Sequence, residues 1–84
     1  MKSTYDIVID WVAALPTWRG TGAVHAGTEL IDEGILDSLA ILNLVAFLEE
    51  RFYIALPVEE FVPENFRTPA TIAALAIRLS EKIA

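Results

Sequence analysis

The chain has 84 residues, of which 55% are hydrophobic, and twelve acidic against six basic side chains give a formal net charge of −6. This length predicts one domain over residues 1–84, and the negative charge opposes binding to the phosphate backbone of nucleic acids. The absence of cysteine excludes a disulfide framework, a thiolate metal site and a cysteine nucleophile. No apolar run reaches the roughly 18 residues of a membrane span, and no signal peptide is recognisable, so we expect a soluble, cytoplasmic protein.

The first predicted element is a helix over about residues 4–15, with Ser3 or Thr4 as its N-cap and Pro16 as its stop. Its apolar residues share one face at helical spacing: Ile7, Val8, Trp11, Val12 and Leu15. Four glycines then interrupt any periodicity and predict a long loop over residues 16–37. Its apolar residues are expected to reach the core: Val24, Leu30, Ile31, Ile35 and Leu36.

The second predicted helix begins at Ser38, with Asp37 as its N-cap, and runs to about Phe52. Two apolar strips follow its surface. The strip that we assign to the core contains Leu44, Phe47, Leu48 and Phe52. The other strip, expected either to bind a partner or to pack under the long loop, contains Leu39, Leu42 and Ala46.

A short helical turn is predicted at residues 58–61, followed by an irregular stretch around Pro63 and a further turn through Phe66. Thr68 followed by Pro69 predicts the start of the last helix. Its apolar stripe contains Ile72, Leu75, Leu79 and Ile83. The segment YIAL has no partner strand, so we predict an all-α small four-helix bundle with three principal helices, a short third helix and a long first loop.

Ser38 is the main candidate for a functional residue, because its hydroxyl lies at a positive helix end beside a carboxylate. A catalytic serine would need a base, and His25, in a glycine-rich loop, has no motif that places it against the hydroxyl. The carboxylates Asp32, Glu33 and Asp37 lack the spacing of a calcium-binding loop. The dipeptide Asp37-Ser38 alone is equally typical of an ordinary helix start.

The wider neighbourhood of Ser38 resembles the acyl carrier protein family, including peptidyl and D-alanyl carriers, over about residues 28–79. The residues that carry the resemblance follow in order: Leu30, Gly34, Leu36-Asp37-Ser38-Leu39, the apolar helix, its ending Leu48-Glu49-Glu50-Arg51-Phe52, Ile54 and Pro57. In this family a separate transferase esterifies the serine that corresponds to Ser38 with phosphopantetheine. The resemblance therefore implies a fold of acyl-carrier type and a monomer that is not an enzyme and holds an acyl or aminoacyl thioester.

The resemblance also implies partners and partner-binding residues. Asp37 would help the transferase to engage the serine. The remaining implied contacts to partner enzymes are Leu39, Leu42, Ala46, Glu49 and Glu50, although charge runs such as the last two are often simply solvated. The implied partners are a phosphopantetheinyl transferase, an acyl- or aminoacyl-loading ligase or acyltransferase, and a downstream transferase or synthase.

The sequence departs from fatty-acid carriers in its second helix, where Ala40 and Asn43 occupy positions that are acidic in those proteins. We therefore expect weaker electrostatic docking, a lower salt sensitivity and a specialised pathway, closer to D-alanyl carriers. Tyr53 replaces the glycine common at the helix end, so this end is either not left-handed or strained. The alternative function is an unmodified helical interaction module in which Ser38 acts as a helix cap.

Overall fold

The structure is a computed structural model that describes residues 3–15 and 24–83, with side chains as far as residue 81. Within these two ranges the chain forms three α-helices: α1 (Thr4–Ala13), α2 (Ser38–Phe52) and α3 (Pro69–Ile83). Two 3-10 turns, at Val58–Glu60 and Pro63–Phe66, lie between α2 and α3. Residues 3–15 and 24–83 contain no β-strand, and the predicted all-α fold is confirmed.

The α1 helix begins where the sequence predicts, because Ser3 and Asp6 form a reciprocal capping box. The Ser3 hydroxyl accepts the Asp6 N–H at 3.1 Å, and the Asp6 carboxylate accepts the Ser3 N–H at 3.4 Å. The helix ends at Ala13, two residues before the predicted end. Pro16, the predicted stop, lies outside the described residues, as do Gly20 and Gly22 of the predicted loop.

The core forms where α3 packs against α1, α2 and the second 3-10 turn. Val8 and Val12 of α1 are fully buried, and the Trp11 and Phe47 rings stack with centroids 5.8 Å apart. Reciprocal hydrogen bonds between Thr68 and Thr71 cap α3, as predicted for Thr68. The buried apolar residues of α2 and α3 are Ala40, Leu44, Val45, Leu48, Pro69, Ile72, Ala73, Leu75, Ala76 and Leu79.

The loop that leads into α2 is fastened to the start of α3. The Leu30 N–H donates to the Arg67 carbonyl at 2.8 Å, and the Ala70 N–H donates to the Ala26 carbonyl at 3.0 Å. The Arg67 side chain pairs with Glu29 at 2.9 Å, and Glu29, first by hydrogen bonding and then by its charge, raises the pKa of Arg67. The described loop residues predicted to reach inward do so: Val24, Leu30, Ile35 and Leu36 are buried and Ile31 is half-buried.

The turns predicted at residues 58–61 and through Phe66 are both present, as two separate 3-10 turns, and together they make up the predicted short third helix. Pro57 and Pro63 flank the first turn and interrupt any longer run of backbone hydrogen bonds. Glu60 joins the two turns to α3, because its Oε1 accepts hydrogen bonds from Arg78 at 2.8 Å and from Asn65 at 3.0 Å. The described residues therefore contain three α-helices, and the pair of 3-10 turns lies between the second and the third of them.

The residue that caps the C-terminal end of α2, Tyr53, is left-handed although it carries a large side chain. Tyr53 has φ 55° and ψ 46°, and its N–H donates to the Glu49 carbonyl. This conformation costs a residue with a Cβ atom about 1 kcal/mol. The Tyr53 side chain is 85% exposed, so packing does little to offset that cost. The sequence predicts that this helix end is either not left-handed or strained, and the structure shows the strained, left-handed conformation.

Replacing Tyr53 by glycine is expected to raise the free energy of unfolding by about 0.5–1 kcal/mol, because glycine adopts the left-handed conformation without strain. Urea denaturation measures this change. Tyr53→Ala is the matched control, since it removes the same ring but keeps the Cβ atom. A glycine variant no more stable than the alanine variant would show that this helix end is not strained.

Candidate functional site

Ser38 is the first residue of α2, and its side chain is exposed, as is that of Asp37. The Asp37 carboxylate accepts the Ala40 N–H at 2.8 Å, and the Asp37 carbonyl accepts the Ile41 N–H at 2.9 Å. The predicted boundary and N-cap of α2 are both confirmed. The Ser38 hydroxyl lies at the positive end of a helix of 15 residues.

Asp37, rather than Ser38, caps the helix. The capping role that the alternative function gives to Ser38 is therefore wrong, because the N-cap position and its hydrogen bond to the third helical N–H belong to Asp37. The Ser38 hydroxyl is therefore not the helix cap.

The cap predicts a separable effect of two substitutions at Asp37. Asp37→Ala removes the acceptor of the Ala40 N–H and is expected to lower the free energy of unfolding by about 1 kcal/mol. Asp37→Asn keeps an acceptor oxygen and should lie within a few tenths of a kcal/mol of the parent protein. Thermal unfolding resolves the difference, since about 1 kcal/mol shifts Tm by about 4–8 °C in a domain of this size. Equal losses of stability in both variants would show that the charge of Asp37, rather than its acceptor oxygen, stabilises the helix start.

A groove of about 430 Å³ opens beside Ser38. Ile31, Leu36 and Ile41 line one side of it, next to Asp37 and Ser38. The other side comes from the segment around the second 3-10 turn: Phe61, Val62, Pro63 and Phe66. A volume of this size lies within the range of small-molecule sites, and most of the lining residues are apolar. Sequence reasoning missed this second side, because these residues follow no helical or strand period.

The side chains predicted to meet partners from α2 lie on its surface. Leu39 is 67% exposed and Leu42 is 60% exposed, and Ala46 is exposed too. Packing of Leu39 and Leu42 under the long loop, the other expectation for this strip, is therefore wrong for the described residues. Ala40, in contrast, is buried at 7% exposure. The lack of an acidic residue at position 40 therefore says nothing about docking. The expectation of weaker electrostatic docking than in fatty-acid carriers rests on Asn43, which is exposed.

The two glutamates at the end of α2 have different environments. Glu50 is exposed. Glu49 is half-buried, and its Oε2 accepts the Leu56 N–H at 2.9 Å. No local sequence pattern predicts this hydrogen bond, because it joins residues seven positions apart across the helix end. The resemblance implies partner contacts for both carboxylates, and in the structure the carboxylate of Glu49 also forms a hydrogen bond within the fold.

Neither the histidine considered for catalysis nor the carboxylates considered for metal binding form such a site in the described part of the chain. The His25 Nδ1 accepts the Gly27 N–H at 3.1 Å, and the His25 N–H donates to the Thr28 hydroxyl at 2.9 Å, so this histidine is engaged within its own turn. Among the described residues, no three His, Asp or Glu side chains are placed to hold a metal ion. None of the helices in the described ranges has the length and apolar character to cross a membrane.

Fold and site together define a small all-α domain that presents a serine hydroxyl at a helix N-terminus beside an apolar groove. The model of the family described as the phosphopantetheine attachment site matches residues 19–76. The chain belongs to this family. The match confirms the resemblance to carrier proteins, and with it phosphopantetheine as the predicted cofactor.

Three relatives illustrate the similarity. The lincomycin biosynthesis protein LmbN of Streptomyces lincolnensis is 35% identical over 80 residues, which are 95% of this chain and 29% of that protein. A D-alanyl carrier protein of Listeria monocytogenes serotype 4a is 46% identical over 48 residues, 57% of this chain and 62% of the relative. A D-alanyl carrier protein of Streptococcus suis is 39% identical over 51 residues, 61% of this chain and 65% of the relative. In each case the matched region spans less than two thirds of the relative. Family and relatives together confirm the predicted carrier role.

Proposed function

We propose that phosphopantetheine is attached to Ser38 and that the domain carries an acyl or aminoacyl group as a thioester for a specialised biosynthetic pathway. The observation that carries this proposal is the exposed Ser38 hydroxyl at the first position of α2, inside the matched region 19–76. When bound, the group supplies a long arm with a terminal thiol that this chain, which lacks cysteine, does not have. The D-alanyl carrier relatives favour an aminoacyl cargo among these classes.

The residues around Ser38 fit an attached phosphodiester. A negative charge at a helix N-terminus is stabilised by about 0.3–1 kcal/mol, because the first backbone N–H groups point toward it. Asp37 takes the Ala40 N–H, which holds the first turn in place without occupying the Ser38 hydroxyl. The groove beside Ser38 offers apolar surface on which an arm or its cargo can lie.

The proposed partners follow from this role. A phosphopantetheinyl transferase engages Ser38 with the help of Asp37, a loading ligase or acyltransferase forms the thioester, and a downstream transferase or synthase consumes it. The carrier itself supplies no catalytic group in this proposal. It holds the attachment point on the rigid end of α2 and leaves the chemistry to its partners.

The absence of cysteine makes the proposal testable with a thiol count. Before modification the chain has no thiol, so a thiol reagent should detect none. After treatment with a broad-specificity phosphopantetheinyl transferase and coenzyme A, followed by removal of small molecules, one thiol per chain is expected. A count that remains at zero with such transferases would refute the proposal.

A further inference from the structure

The segment between α2 and α3 contains a stretch without a buried side chain, which we call the strap and define as residues 57–65. Both of its ends are fixed. Leu56 is buried and its N–H donates to the Glu49 carboxylate at 2.9 Å, and Phe66 is buried at 2% exposure. The second 3-10 turn packs against α3, whereas the first turn, Val58–Glu60, contributes no buried residue. Segments with few buried apolar contacts open at a low free-energy cost, so the strap should open more easily than the helices on either side of it.

The strap forms one side of the groove beside Ser38. Phe61, Val62 and Pro63 of the strap line this groove together with Ser38 and Ile41 of α2. Phe61 and Val62 are 40% and 37% exposed, so they cover the groove without being packed into the core. A movement of the strap away from α2 therefore opens the groove and removes no buried side chain from the core.

The two half-buried side chains of the strap, Glu60 and Asn65, fasten it. The Asn65 Nδ2 donates to the Glu60 carbonyl at 2.8 Å and to the Glu60 Oε1 at 3.0 Å, and these bonds lie within the strap. The same Oε1 accepts a hydrogen bond from Arg78 Nη2 of α3 at 2.8 Å, which ties the strap to a helix. The Glu60 and Arg78 side chains of this ion pair are 21% and 46% exposed. An ion pair with this exposure is weakened by salt.

We propose that the strap opens and closes over the groove as a unit, and that the Glu60–Arg78 ion pair is the latch that holds it closed. Breaking the ion pair leaves the hydrogen bonds between Glu60 and Asn65 in place, so the strap keeps its shape while it moves. The latch acts in the unmodified chain, so the inference goes beyond the proposed function. Its consequence for an arm on Ser38, which is more room beside the attachment point, rests on that function.

The chain contains no cysteine, so one introduced thiol reports on one position. Ile41→Cys places the thiol in the groove at a half-buried position of α2. Leu42→Cys is the matched control, because it places the thiol at the next position, which is 60% exposed. The rate of alkylation by iodoacetamide, an uncharged reagent, is measured for each thiol in the whole unmodified chain, with Arg78 and with Arg78→Met. Methionine keeps an apolar stem but cannot pair with Glu60.

Arg78→Met should raise the alkylation rate of the Ile41→Cys thiol about two- to fivefold, as expected for the loss of a partly exposed ion pair, and leave that of Leu42→Cys unchanged. Salt at about 1 M, where the Debye length is about 3 Å, should produce the same rise when Arg78 is present and none with Arg78→Met. Glu60→Gln should raise the rate as well. Glu64→Gln, which changes an exposed carboxylate of the second 3-10 turn, should leave it unchanged.

Two results would overturn the inference. An alkylation rate of the Ile41→Cys thiol that neither salt nor Arg78→Met changes would show that the ion pair is not a latch. Equal rises for the Ile41→Cys and Leu42→Cys thiols would assign the effect to the whole fold rather than to the strap. Because the salt series leaves Arg78 unchanged, it tests the latch however the Arg78→Met variant folds. Both results leave the attachment to Ser38 standing, since the thiol count on the chain without an added cysteine tests that separately.

Discussion

Replacing Ser38 by alanine is expected to abolish the attachment of phosphopantetheine completely while the fold remains intact. The hydroxyl is the atom to be esterified, and no other group at that position can take its place. The fold should not suffer, because the α2 cap is supplied by Asp37 and the Ser38 side chain is exposed. Alanine is also the best helix former at an exposed helical position. Intact-mass measurement after transferase treatment, with circular dichroism on the same sample, records both outcomes.

Ser80→Ala is the matched control for this experiment. Ser80 is an exposed serine on α3 whose hydroxyl donates to the Ile77 carbonyl at 2.9 Å. The control variant should gain one arm, as the parent protein does. Ser38→Asn, which has no hydroxyl, should fail to gain it. An arm on the Ser38→Ala variant would contradict the assignment of the attachment point.

Replacing Leu48 by alanine is expected to lower the free energy of unfolding by about 2–5 kcal/mol, because the side chain is fully buried and its removal leaves a cavity. A domain of 84 residues has a total stability of only about 4–13 kcal/mol. The variant should therefore populate the unfolded state measurably at elevated temperature. Urea denaturation measures the shift of the midpoint.

Leu42→Ala makes the same chemical change on the same helix at a position that is 60% exposed. Its cost to stability should stay within about 0.5 kcal/mol, as for other surface substitutions. The two variants together compare the buried face of α2 with its exposed face. Similar losses for Leu48→Ala and Leu42→Ala would contradict the orientation of α2 in the bundle.

The boundaries of α2 and α3 were predictable because local residues determine them. The Asp37 carboxylate accepts the N–H of the third residue of α2, and the Thr68 hydroxyl accepts the Thr71 N–H at the start of α3. Both signals lie within four residues of the helix start. The burial of Leu44 and Leu48 followed from helical spacing in the same way.

The contacts that the sequence did not reveal are those between distant parts of the chain. The resemblance implies a docking charge at Glu49. Its hydrogen bond with the Leu56 N–H was not predictable, because this bond depends on how the chain turns after Tyr53. Ala40, which the comparison with fatty-acid carriers places among the docking positions, is buried at 7% exposure. Glu60, which precedes Phe61 of the groove wall, pairs with Arg78 of α3 at 2.8 Å, eighteen positions along the chain. None of these has a periodic signature.

The central claim, that Ser38 is the attachment point of a carrier, is tested most directly by mapping the modification. The chain is treated with a broad-specificity phosphopantetheinyl transferase and coenzyme A, digested, and sequenced by tandem mass spectrometry. The expected result is one phosphopantetheine per chain, located on the peptide that contains Asp37-Ser38-Leu39 and absent from every other serine. An unmodified chain, or an arm on any residue other than Ser38, would contradict the account.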